Sequence, residues 1–262
     1  MTDIPTLPLA DDRIPVVGLG TYGLFQEKGV EQVATAIRAG YRLLDTAQGY
    51  GNEEQVAAGM RESGVPREEL LVTTKLPNDD HGHDETLASF DRSQAALGVD
   101  VVDLYLIHWP MPEVDRFVES WTAMIRLRDE GRIRAIGVSN FSADQIDRLE
   151  RETAELPALN QVELHVGLDQ ADLRRYHDAK GIVTESYSPL KHGSALAKDT
   201  VVTGIAAAHG VAWNQVVLRW NLQLGTVVIP RSTDAARQAS NLAVTGFALT
   251  DEEMAAISAL RP

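Results

Sequence analysis

Asp45, Tyr50, Lys75 and His108 carry the side chains in this sequence best suited to moving a proton. Asp45 and Lys75 end successive β-like apolar runs and His108 ends the next, while Tyr50 lies in the loop after Asp45. If those ends share one mouth, a carboxylate and an ammonium meet there as an ion pair. The phenol beside them then feels a positive charge, which lowers its pKa below the ordinary value of about 10. His108 adds a hydrogen-bond donor to the same space. A proton donor beside an oxygen-stabilising group suits reduction of a carbonyl, in which an oxyanion develops and must be protonated. Each residue alone has an ordinary explanation: Asp45 as a loop cap, Lys75 on the surface, Tyr50 on a rim, His108 as a satisfied core histidine. Four such types at successive strand ends argue for a shared pocket.

Positioning them there requires parallel strands whose C-terminal ends converge. Strands are predicted over 16–20, 42–46, 70–75, 102–108, 133–139, 158–163, 182–186 and 226–230. Several are apolar at consecutive positions, as in VVDLYLI, the pattern of a strand buried on both faces. Helical stretches lie between them at 30–39, 53–62, 84–96, 116–129 and 143–151. Gly40, Gly64, Gly98, Gly131 and Gly181 stand where helices commonly stop. Residues 6–15 read as a small β-hairpin, 213–224 as an additional helix, and 251–260 as a final helix opened by the capping signal TDEE. Eight βα units fit a doubly wound sheet or a (β/α)8 barrel, and the polar residues at seven of the strand ends favour the barrel. The expected fold is therefore a TIM barrel with an N-terminal hairpin and extra C-terminal helices, one domain over 1–262.

The composition bounds the rest. With 262 residues, the chain sits near the ~250 that a bare barrel needs, so little is left for lids. Its 38 acidic against 24 basic side chains, a net charge of −14, argue against a nucleic-acid surface. There is no cysteine, which excludes disulfides and thiolate metal sites. Without a signal-peptide pattern or an apolar stretch near ~20 residues, no membrane association and a cytoplasmic location are expected.

Two motifs tempt and fail. Gly18-Leu19-Gly20-Thr21-Tyr22-Gly23 matches the dinucleotide fingerprint G-x-G-x-x-G, but no helix is expected to begin before Val30, too late for its N-terminus to face a pyrophosphate. His81-Gly82-His83 has metal-ligand spacing in a loop with Asp79 and Asp80, yet no further ligands are evident, and no metal is expected.

A wider set of motifs resembles the aldo-keto reductases: DTAxxYGNE at 45–53, TTK at 73–75, DLYLIHWP at 103–110, IGVSNF at 136–141, NQVELH at 160–165, SYSPL at 186–190 and IPRS at 229–232. These run in order along nearly the whole chain, most like the short bacterial members of the 2,5-diketo-D-gluconate reductase type. The resemblance implies a tetrad in which Tyr50 is the general acid, Asp45 and Lys75 tune it, and His108 orients the carbonyl oxygen. It implies NADPH as hydride donor (NADP+ in the reverse direction). Ser139, Asn140 and Gln161 would hold the carboxamide, and Tyr187 would stack on the nicotinamide. Ser188 and Leu190 would cover the pyrophosphate, with Gly20 and Thr21 nearby. Arg231, Ser232, Arg237 and Asn241 would take the 2′-phosphate end, where guanidinium forks suit phosphate oxygens. The family's lysine is Arg231 here, which keeps the charge. Its glutamate is Ser240, which removes an acceptor for the adenine amino group.

Tyr22, Phe25, Tyr50, His108 and Trp109 would line the substrate pocket. Short loops there imply an open pocket accepting aldehydes, α-dicarbonyls and keto-sugars, in a protein that works as a monomer. A low-turnover, cofactor-binding regulatory barrel is the alternative; a metal-dependent hydrolase has only His81 and His83 behind it.

Overall fold

The computed structural model describes residues 4–262. Strands β1 (Thr6–Leu9) and β2 (Asp12–Pro15) pair antiparallel as a hairpin. The barrel strands are β3 (Leu19–Gly20), β4 (Leu43–Asp45), β5 (Leu71–Leu76), β6 (Val102–Ile107), β7 (Ile133–Ser139), β8 (Leu159–Glu163), β9 (Val183–Tyr187) and β10 (Val227–Val228). Each pairs in parallel with the next along the chain. Between and after them come α1 (Gln26–Ala39), α2 (Glu53–Ser63), α3 (His83–Leu97), α4 (Phe117–Asp129), α5 (Ala143–Thr153), α6 (Ala171–Lys180), α7 (Gly193–Leu196), α8 (Thr200–His209), α9 (Trp213–Gln223), α10 (Ala235–Leu242) and α11 (Asp251–Ser258).

The ladder closes on itself through residues just before β3. The Val228 amide donates to the Val16 carbonyl at 2.9 Å, and the Gly18 amide donates to the Val228 carbonyl at 2.8 Å. The result is a (β/α)8 barrel. Closure also explains the glycine run that mimicked a dinucleotide fingerprint. A Cβ at Gly18 would lie 2.6 Å from the Leu43 side chain, and one at Gly20 would lie 2.8 Å from the Ile229 carbonyl oxygen. Those glycines let the seam strands approach; they do not open a helix.

Helix α1 does begin earlier than periodicity suggested, at Gln26 rather than Val30. Gly29 disguised it, since a glycine inside a helix weakens the helical signal. Here a Cβ at position 29 would meet the Leu24 carbonyl carbon at 2.6 Å, so the close turn requires glycine. The start at Gln26 still falls outside the glycine run. Helices α6, α7, α8 and α10 were not among the helical stretches read from the sequence, although Gly181 marked the end of α6. The TDEE signal is a true capping box, with Thr250 accepting from the Glu253 amide.

Leu43, Leu104, Leu106, Leu159, Val227 and Ile229 fill the barrel, joined by Leu9 and Ile14 of the hairpin, which therefore stops one end. The opposite end carries the polar strand termini. Among the described residues no single helix is long and apolar enough to cross a membrane.

If the seam glycines serve packing, Gly20→Ala should destabilise the fold by about 1–3 kcal/mol, through overpacking against backbone. Gly204→Ala, in α8 with nothing within 4 Å, should instead stabilise by roughly 0.5–1 kcal/mol. Urea denaturation checks both; an unperturbed Gly20→Ala protein would contradict the seam account.

Candidate active site

The buried centre of the mouth is an ion pair. Asp45 ends β4, Lys75 sits one residue before the end of β5, and both are buried. Lys75 Nζ donates to Asp45 Oδ1 at 2.8 Å, to Asp45 Oδ2 at 2.7 Å and to the Thr46 carbonyl at 2.8 Å. All three ammonium protons are thereby taken up. Burial works against the ammonium, but Asp45 and Tyr50 outweigh it, and Lys75 holds its proton more tightly than an ordinary lysine.

Tyr50 ends a short 3-10 turn, residues 48–50, closed by Gly51 in the left-handed conformation. Asn52 ties this loop to its neighbours: its Nδ2 donates to the Thr21 carbonyl at 2.8 Å and its Oδ1 accepts from Thr46 Oγ1 at 2.8 Å. Lys75 Nζ then stands 5.1 Å from the Tyr50 ring centroid. The pKa expectation for Tyr50 fails in sign. Burial raises it more than Lys75 lowers it, and Asp45 raises it further. The ammonium is not a bare charge, because Asp45 shares it. Tyr50 is consequently a protonated phenol at neutral pH, a donor rather than a ready phenolate.

His108 follows β6, its ring 5.7 Å from that of Tyr50 in an edge contact. Burial, and then Lys75, push its pKa down to about 4, so the imidazole is neutral at pH 7 and keeps one N–H to donate.

Gly20, Tyr22, Asp45, Tyr50, His108, Trp109, Ser139, Asn140, Gln161, Tyr187, Ser188, Ile229 and Arg231 surround one cavity of about 570 Å3. A second cavity of about 310 Å3 is lined by Leu190, Trp213, Asn214, Arg231, Ser232, Thr233, Arg237 and Asn241. Arg231 belongs to both. It was expected at the far end, yet its guanidinium would lie 3.1 Å from a Cβ at Gly23, so it stands at the junction. Asp234 caps α10 by accepting from the Arg237 amide at 2.9 Å, which orients the helix carrying Arg237 and Asn241. Among the described residues neither Arg231 nor Arg237 has an acidic partner.

Polar groups in the larger cavity are heavily cross-linked. Asn140 Nδ2 donates to the His108 carbonyl at 3.1 Å and to Ser139 Oγ at 3.0 Å, while its Oδ1 accepts from the Tyr187 hydroxyl at 3.0 Å. Gln161 Nε2 donates to Asp45 Oδ2 and to Glu185 Oε2, both at 2.7 Å. With their N–H groups engaged, Asn140 and Gln161 present oxygens, which fit the N–H donors of a primary amide.

Two expected contacts are not brought to this cavity. Phe25 caps α1 at the surface, half exposed and outside the lining. Thr21 is wholly buried, its hydroxyl donating to the Asp45 carbonyl at 2.9 Å, so it supports the strand end and offers no surface. His81 and His83 do not converge: His81 is buried, with neither ring nitrogen partnered among the described residues, whereas the half-exposed His83 Nδ1 meets Asp84 at 2.8 Å. Ile229, Trp213, Asn214, Thr233 and the buried Glu185 were missed. Glu185 had a usable signal, since it stands two residues before Tyr187 on one strand and so shares its inward face. Asn214 had none; only the fold carries α9 to the distal cavity, where its Nδ2 donates to Ser240 Oγ at 3.0 Å and Asn241 Oδ1 at 2.8 Å.

A closed parallel barrel with its polar chemistry gathered at the strand C-termini is an enzyme architecture, and comparison makes the class specific. The model of the aldo/keto reductase family matches residues 16–262. An aldo-keto reductase of Mycolicibacterium smegmatis is 49% identical over 257 residues, covering 98% of this chain and 93% of that protein. The 2,5-diketo-D-gluconic acid reductase B of a Corynebacterium species is 48% identical over 261 residues, covering 99% and 94%. Among solved structures, a variant of Gox0644 in complex with NADPH superposes with a TM-score of 0.93 at 40% identity, covering 98% of this chain and 93% of that one. The chain belongs to the aldo/keto reductase family, and it is an oxidoreductase.

Because the folded site disfavours its charged form, His108 should titrate far below the ordinary ~6.5. Its contribution to stability is complete above that value and is lost as pH falls towards about 4. NMR titration of the ring would show this directly; a midpoint near ~6.5 would contradict the burial argument.

Proposed function

We propose that this chain, acting as one barrel domain, reduces aldehydes and ketones to alcohols with NADPH, with Tyr50 as general acid. The observation that carries the reading is the buried, fully hydrogen-bonded Asp45–Lys75 pair standing behind a protonated phenol at the cavity wall. When bound, the nicotinamide supplies hydride to the carbonyl carbon. The oxygen of that carbonyl becomes basic as negative charge collects on it, and Tyr50 passes its phenolic proton there. Lys75 stabilises the phenolate left behind, and Asp45 keeps the ammonium fixed and charged. His108, neutral, donates its N–H to the same oxygen and orients it.

Cofactor binding is supported by the donor set. Acceptor oxygens of Asn140 and Gln161 suit the carboxamide, and the Tyr187 ring offers a flat face for stacking. Arg231, at the junction of the two cavities, suits the diphosphate bridge or the phosphate beyond it. Arg237 and Ser232 suit the 2′-phosphate, and among the described residues Arg231 and Arg237 have no acidic partners in a chain of net charge −14. Asn241, with Asn214, supplies polar groups to the adenine end in place of the absent glutamate at Ser240.

Tyr22 and Trp109, both exposed at the rim, make aromatic walls without a covering lid. This supports broad acceptance of α-dicarbonyls, keto-sugars and aromatic aldehydes rather than one preferred substrate.

NADPH oxidation with methylglyoxal, a nitrobenzaldehyde and 2,5-diketo-gluconate tests the reading. Tyr50→Phe should cut turnover by roughly 10²–10⁴-fold, the usual worth of a general acid; equal activity would remove Tyr50 from that role. Arg237→Ala should weaken NADPH binding by about tenfold or more, from loss of a charge-assisted contact, and leave NADH binding nearly unchanged. Equal losses for both cofactors would reject the 2′-phosphate assignment.

A further inference from the structure

Among the buried acids that the mechanism above leaves unused, Glu185 stands nearest its ion pair. Glu185 lies on β9 with its side chain inside the barrel, and it has no exposed surface. Its Oε2 accepts from Gln161 Nε2 at 2.7 Å, and its Oε1 has no partner among the described residues. The same Gln161 nitrogen donates to Asp45 Oδ2 at 2.7 Å, so one amide bridges two carboxyl groups. Next in line come Lys75 and then Tyr50.

The charge balance of this chain of contacts is informative. Asp45 and Lys75 cancel. An ionised Glu185 would add a second negative charge with no cation to meet it, because the three protons of Lys75 already go to Asp45 and the Thr46 carbonyl. The neighbouring strand β10 sets Val227 beside Glu185 and supplies no ionisable group there. From the other elements, the ionisable groups acting on it are Asp45 of β4 and Lys75 of β5. Burial, reinforced by Asp45, pushes the Glu185 carboxyl up to about 8. It is therefore a neutral acid at pH 7, and its ionisation falls within the range where the enzyme can be assayed.

We propose that Glu185 is a positioning residue whose carboxyl, linked through Gln161 and Asp45, sets how tightly Tyr50 holds its proton. While Glu185 is neutral, Tyr50 faces a balanced ion pair. Once Glu185 ionises, losing its proton to solvent, a phenolate at Tyr50 must form beside one more negative charge. Alcohol oxidation, which needs that phenolate as base, is then held back at alkaline pH, while carbonyl reduction keeps its acid. The barrel interior thus biases the site towards reduction as pH rises. This rests on the reading of Tyr50 as proton donor.

Glu185→Gln and Glu185→Leu test it by two readouts. The first is thermal unfolding against pH and involves no turnover. A carboxyl whose proton affinity is higher in the folded than in the unfolded chain costs stability progressively as pH rises from the ordinary ~4.3 to its folded value. The Tm of either variant should therefore gain on wild type from acid pH up to about 8, with no further gain beyond. Parallel Tm curves would overturn the proposal without touching the Tyr50 reading.

The second readout is the pH profile of alcohol oxidation with NADP+. The ratio of variant to wild-type kcat should climb from pH ~7 to ~10, reaching roughly threefold to tenfold, the equivalent of half to one pH unit in the phenol. A flat ratio with diverging Tm curves would make Glu185 a buried acid of purely structural effect and would also overturn the proposal. Use of two variants, one polar and one apolar, keeps the test standing if either fails to fold.

Discussion

The buried pair of Asp45 and Lys75 constrains everything around it. Taking a carboxylate and an ammonium out of water costs several kcal/mol for each ion, and attraction repays this only when geometry is good and every remaining proton and lone pair is met. Here the ammonium is met three times over, and Asp45 also accepts from Gln161. The arrangement fixes the ends of β4, β5 and β8 relative to one another. It also bears on the state of Tyr50. Burial keeps the phenol protonated, and because Asp45 shares the Lys75 charge, the lysine does not pull it back to phenolate. Loss of either partner would strand a buried charge, typically a cost of about 3–5 kcal/mol.

The barrel exists to hold that pair, and its glycines and hairpin make the barrel possible. Gly18 and Gly20 let the seam close against Leu43 and the Ile229 carbonyl. With Leu9 and Ile14 stopping one end, apolar side chains fill the middle, and the site's polar residues gather at the strand C-termini. Two cavities meet there at Arg231. That junction suits a long ligand with an amide at one end and an extra phosphate at the other. An overall charge of −14 is compatible with such a site because the local balance is reversed: Arg231 and Arg237 have no acidic partners among the described residues.

Much of this was legible before the fold was known, for a physical reason. A parallel barrel brings strand ends together, so Asp45, Lys75, His108, Ser139 and Gln161 could be read as one site from their positions alone. Lengths were less legible. β3 is two residues long, since its predicted first half joins the barrel as an isolated bridge between Val17 and Val228. Gly29 hid the first turn of α1. The sign of the Tyr50 shift was misread because burial raises the phenol more than Lys75 lowers it, and spacing does not reveal how deeply the ring is buried. Phe25 was read as lining the pocket but lies outside it, half exposed, and Thr21 was read as a cofactor-side residue, whereas its buried hydroxyl supports Asp45. Glu185 was missed although the alternation of β9 could have placed it inward beside Tyr187; a buried carboxyl there becomes informative only once Gln161 is seen to link it to Asp45.

The central claim is that Asp45, Lys75 and Tyr50 act as one electrostatic unit, and a double-mutant cycle on turnover with NADPH and a simple aldehyde tests it most directly. Members of a single unit are strongly non-additive. Asp45→Asn and Lys75→Met should each remove most of the activity that the double variant lacks. Independent losses, multiplying in the double variant, would mean that aspartate and lysine do separate jobs and that the shared-charge account of Tyr50 is wrong.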